Sequence, residues 1–140
     1  MKKILALPLI ACFLIGCDDQ KKYETAVLNE VTRGQANQDA KDLKIPAQDM
    51  ANCIVKASSE KMPGFFPFDP QRLTAYRNYT KMLTLTQSPD PRKTLEELRS
   101  DFGSAKEVTA ARANYTESEM ECLSEFVTAS EQLDQPNSPK

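Results

Sequence analysis

The sequence predicts an all-α protein: a small bundle of four or five short helices, preceded by a flexible tether. Three observations predict it. From residue 46 to 133 the apolar residues recur three and four positions apart, the period of a helix that buries one face. The stretches that carry them end at Pro and Gly, or begin at Asp and Ser in capping positions. No segment keeps strict alternation. The nearest approach, Met82 to Thr86 (MLTLT), continues the helical pattern that starts at residue 73.

Pro46 suits the start of a helix. Met50, Cys53, Ile54 and Ala57 then follow the i, i+3, i+4, i+7 pattern, and Pro63-Gly64 ends the run. Asp69-Pro70 supplies an N-cap and a proline at the first helical position. Leu73, Tyr76, Tyr79, Met82 and Leu83 cover roughly half of that helix, with Arg77 and Lys81 opposite. Ser88-Pro89-Asp90-Pro91 breaks the chain and caps it again. Leu95, Leu98 and Phe102 form the next stripe, and Gly103 suits the C′ position. Ser104 with Glu107, and Thr116 with Glu119, have capping-box spacing. Two helices are therefore expected. A short one carries Val108 and Ala111, and a last one runs from about 117 to 133. On the last, Met120, Cys122, Leu123, Phe126, Val127 and Leu133 occupy an arc of about 160°, with Glu121 and Glu125 facing away. Residues 134–140 (DQPNSPK) hold no apolar side chain, so a disordered tail is expected.

The beginning of the chain is an address. Lys2 and Lys3 precede an apolar run from Ile4 to Ile15, broken only by Pro8. A run of that length is too short to cross about 30 Å of hydrocarbon, so it reads as a secretory signal. The stretch Leu14-Ile15-Gly16-Cys17 resembles the lipobox of bacterial lipoproteins. The resemblance covers about the first 19 residues. It implies diacylation of the Cys17 thiol, cleavage before Cys17 and acylation of the new amino group. Each acyl methylene buried in lipid contributes about 0.8 kcal/mol, so two or three chains anchor stably. Asp18 follows the anchor. Lipoproteins with Asp there resemble those retained on the inner membrane, so the periplasmic face of the inner membrane is expected ahead of the outer membrane. Removing the first 16 of 140 residues leaves 124. Lys2 and Lys3 leave with them, and the formal charge moves from −2 to −4.

The expected organisation is a signal peptide over 1–16, a lipidated polar segment over 17–45, a helical domain over 46–133 and the tail. Within 17–45, Tyr23, Val27, Leu28 and Val31 have helical spacing, so a short helix is expected near 22–33, with Gly34 as its stop. Gln35 to Lys44 reads as the flexible tether.

Of four cysteines, Cys12 leaves with the signal and Cys17 takes the lipid. Cys53 and Cys122 remain, in an oxidising compartment, so they are expected to pair. The bond would close a loop of about 70 residues and stabilise by about 4 kcal/mol on the chain-entropy model. No Cys-x-x-Cys is present to suggest redox catalysis.

The sequence has no His and no Trp, and only 4 Gly. Ser-His and Cys-His nucleophile pairs are absent, as are the commonest metal ligand and any glycine-rich phosphate loop. No calcium-loop motif occurs, and no cofactor or metal is expected. A chain of −2 with no basic run is a poor nucleic-acid ligand. Glu96-Glu97 and the set Glu117, Glu119, Glu121 and Glu125 are read as solvated helix faces. Asn78-Tyr79-Thr80 and Asn114-Tyr115-Thr116 match the glycosylation sequon, by chance in a bacterial chain.

The segment Met62 to Phe68 is the candidate binding patch, with Phe65, Phe66 and Phe68 at its centre and Tyr76 extending it. Exposed aromatics make strong anchors. The simpler expectation is that two of the Phe rings plug the end of the bundle. Taken together, the sequence points to a lipid-anchored, non-enzymatic protein-binding accessory of an envelope complex. The rival reading is an immunity or inhibitor lipoprotein, whose acidic face at Glu117, Glu121 and Glu125 meets a cationic cleft. A hydrolase or small-ligand carrier stands third and would need an interior pocket.

Overall fold

The computed structural model describes residues 15–37 and 45–133. Helix α1 spans Ile15–Asn37, α2 Ala47–Glu60, α3 Pro70–Leu83, α4 Pro91–Phe102 and α5 Ala105–Leu133, with a 3-10 turn at Leu85–Gln87 between α3 and α4. There is no strand among the described residues. The expected all-α bundle is present, and Cys53 and Cys122 form its disulfide, with Cα atoms 5.9 Å apart.

The local signals act where they stand in the chain. Asp69 Oδ1 accepts from Gln71 N at 2.8 Å, and Asp90 Oδ1 accepts from Lys93 N at 3.1 Å. Both supply acceptors to amides that a helix start leaves unpaired. Gly103 closes α4 at φ +89°, and Ser104 Oγ accepts from Glu107 N to begin α5.

Helix α1 carries the largest correction. The helix expected near 22–33 is there, but it is longer, and it belongs to the packed body. Tyr23, Ala26, Val27 and Val31 are all buried, and α1 packs against both α2 and α3. The boundary expected at residue 46 therefore moves to before residue 19. The physical reason is that α1 is polar on average but not on one face. Its Lys and Glu residues lie on the solvent side of a single apolar stripe. Burying a side chain of Tyr or Val size contributes about 1.5–3 kcal/mol, enough to dock such a stripe. Residues 1–14, most of the expected tether (38–44) and the tail 134–140 lie outside the described residues.

The core is aromatic at its centre. Tyr23 stacks on Tyr76 with centroids 5.6 Å apart and meets Tyr79 edge-on at 5.8 Å. Its hydroxyl lies 2.7 Å from Ser58 Oγ. Ser58 Oγ donates to Ile54 O, so the Tyr23 hydroxyl donates to Ser58. Burial pushes the Tyr23 phenol well above its ordinary range.

The direction of the helices follows from shared neighbours. Gln20 and Glu24 line one cleft with Arg72 and Tyr76, and Glu30 lines another with Met82 and Leu83. Moving along α1 thus moves along α3 in the same direction. The two are parallel and pack directly on each other, and α2, which returns between them in the chain, packs on the other side of α1.

A second correction concerns the end of the chain. The two helices expected on either side of Thr116 are one continuous α5. No Pro or Gly precedes Thr116 to break the helix, and Ser118 Oγ bonds to Asn114 O across the expected boundary. The buried face is Ala111, Tyr115, Ser118 and Cys122, not an arc centred on Met120 and Leu123, which are 66% and 39% exposed. Small buried Ser118 lets α5 approach closely on a face that hydropathy alone scores as polar.

Candidate functional site

Residues 61–69 join α2 to α3 and carry the aromatic patch. The loop is held at both ends. Met62 is buried and fills the end of the bundle. Gly64 then turns the chain at φ +95°, where a Cβ would lie 2.8 Å from Arg72 N. Only glycine fits that turn without strain. The guanidinium of buried Arg72 donates to Gly64 O. On the far side, Asp69 serves three bonds. It caps α3 through Oδ1, accepts from Phe65 N through Oδ2 at 3.2 Å, and donates its own amide to Phe66 O at 3.0 Å.

The rings point outward from this frame. Phe65 is 97% exposed, Phe66 58% and Phe68 62%. The expectation that two of them plug the bundle is thereby corrected: Met62 is the plug. The left-handed turn at Gly64 sends the following residues away from the core. Tyr76 leaves the patch as well. It is 4% exposed and stacks on Tyr23. Beside the loop lies a solvent-open cleft of about 570 Å³, lined by Gln20, Glu24, Lys56, Phe65, Phe66 and Tyr76.

Cys17 is the third residue of α1, so it sits at the same end of the bundle as this loop. Its two acidic neighbours differ. Asp18 is exposed and pairs with Lys22 at 2.5 Å, which raises the Lys22 pKa. Asp19 is buried, 6% exposed, and pairs with Arg77 of α3 at 2.6 Å. The packed body thus begins two positions after Cys17.

Helix α5 presents a second apolar surface. At 100° per residue, Met120, Leu123 and Val127 fall on one strip, and the first two are exposed. Of the acidic set, Glu117, Glu121 and Glu125 are exposed, and Lys61 lies 3.9 and 3.6 Å from the first two. Glu119 is half-buried. Burial raises its carboxyl above the usual range, Arg112 opposes this and Glu30 adds to it. Glu96 and Glu97 are exposed on α4, and Glu97 pairs with Lys81.

The inner side of α5 is joined to the bundle by polar contacts. Asn114 Nδ2 donates to Ser58 O at 3.1 Å and to Tyr79 Oη at 2.8 Å, linking α5 to α2 and α3. This is the structural role of a residue that, in sequence, stood out only as a sequon. Sequence reasoning also missed the exposed α5 strip, because its spacing is that of a core face.

Among the described residues, no three His, Cys, Asp or Glu side chains group as a metal-ligand set, and no helix is long and apolar enough to cross a membrane. No protein-family model matches the chain, and neither does any curated protein or solved structure.

Proposed function

We propose that the protein is a lipid-anchored, non-enzymatic accessory of the bacterial envelope. Acyl chains on Cys17 hold it on the periplasmic face of the inner membrane, and its helical body binds a protein partner there. One observation carries the partner-binding part: Met120 and Leu123 stand exposed on a continuous helix that a disulfide holds in place. Apolar side chains on a rigid element cost little ordering entropy on binding. The strip favours a partner surface with an apolar ridge.

The test is crosslinking of the tagged protein in its native membrane, followed by identification of the captured proteins. An envelope complex should be recovered with the parent protein. It should be lost with the Met120→Lys/Leu123→Lys variant, which should melt at the parent temperature. Capture of only a secreted toxin or hydrolase would replace this function with the immunity reading. Recovery unchanged by the double substitution would remove α5 as the binding face. For the immunity reading, Lys61 already lies beside two of the three glutamates it relies on.

A further inference from the structure

We infer that Phe65, Phe66 and Phe68 are a second membrane contact, inserting into the bilayer interface beside the lipid anchor. The inference rests on lipidation of Cys17, as proposed above. Three observations lead to it.

The first is placement. Parallel packing of α1 and α3 puts the start of α1 level with the start of α3, and the loop runs directly into α3 at Asp69-Pro70. An acylated Cys17 and the three rings therefore share one end of the body.

The second is reach. A single residue, Asp18, separates Cys17 from Asp19, whose carboxylate is buried against Arg77. One residue spans at most about 3.5 Å. The body cannot stand off on a long linker, because its first packed side chain follows the anchor so closely. Any surface at this end is held at headgroup level.

The third is the character of the surface. Large apolar rings left in water are costly, and contiguous exposed apolar patches mark interaction sites. The bilayer is the apolar phase that the anchor brings to them. Gly64, Arg72 and Asp69 already fix the loop, so insertion requires no folding step. Stable membrane attachment commonly combines acyl chains with a further signal in the protein. Here that signal would be apolar area rather than a basic patch. The contact should therefore form on zwitterionic lipid and persist in high salt.

The absence of Trp from the sequence makes the test direct. The full lipidated protein, carrying Phe66→Trp as its sole indole, is reconstituted in phosphatidylcholine vesicles with brominated acyl chains. Met120→Trp serves as the comparison. Both positions are exposed, so neither substitution disturbs the core. Phe66→Trp should lose most of its emission and shift to the blue, in low and high salt alike, while Met120→Trp should keep its emission. Protein that sediments with the vesicles but leaves Phe66→Trp unquenched overturns the inference and leaves the anchor standing. A blue shift without quenching also overturns it, and points to a second copy or another protein on the loop. Equal quenching at both positions overturns the fixed orientation. Protein that fails to sediment with the vesicles overturns the anchor itself, and this inference with it.

Discussion

The two long helices differ in what they leave exposed. Helix α1 commits its large apolar side chains to the core: Tyr23 and Val27 are fully buried, and Val31 nearly so. Helix α5 is longer, yet it leaves Met120 and Leu123 outside. It is held by Asn114, by Lys61 facing Glu117 and Glu121, and by the Cys53–Cys122 bond as well as by apolar burial. Among the described residues α1 leaves no large apolar side chain exposed, so it has none to offer a partner. A helix tied by a crosslink and by polar contacts can keep some free. The contrast supports the proposal that anchors the protein at α1 and binds a partner on α5.

Breaking the crosslink should act mostly on α5. Cys53→Ser or Cys122→Ser is expected to cost about 4 kcal/mol in thermal denaturation, and the double variant no more than either single. Hydrogen exchange should rise in α5 before α1. Additive losses, or equal loosening of both helices, would contradict the contrast. A smaller change probes the α1 side. Tyr23→Phe keeps the buried ring but removes the donor to Ser58 Oγ, and should cost about 1 kcal/mol in denaturant unfolding. A loss as large as that of the disulfide variants would mean that α1, too, is docked chiefly by a polar contact.

The smallest effect concerns Glu119. Its carboxyl titrates above its unfolded value, so the folded protein favours the protonated form. That contribution is fully present below the unfolded pKa and is lost as pH rises through the folded pKa. Glu119→Gln should therefore raise the melting temperature at neutral pH and leave it unchanged in acid. The gain should stay under about 0.5 kcal/mol, because the side chain is only half-buried and screened by solvent. A loss at neutral pH would show that the ionised carboxylate contributes through Arg112.

What could be read from the sequence was local. Asp69-Pro70, Asp90-Pro91 and Gly103 bound their helices because proline, the Asx side chain and glycine act on the backbone at their own positions. The disulfide was legible because Cys53 and Cys122 are the only cysteines that follow Cys17. What could not be read depends on contacts distant in the chain. Helix α1 joins the body because Tyr23 finds Tyr76, Tyr79 and Ser58. Continuity through Thr116 depends on a buried face that includes Ser118. Exposure of the Phe rings is set by Gly64 against Arg72, a contact eight residues apart that no periodicity reports.

The central claim is that Cys17 carries lipid and thereby brings the aromatic loop to the membrane. The most direct test is the intact mass of the protein extracted from the membrane fraction, with fragmentation of its first residues. The account predicts a chain that begins at Cys17 and bears acyl chains on that residue. A chain still carrying residues 1–16, or one cut elsewhere with an unmodified Cys17 thiol, would contradict it.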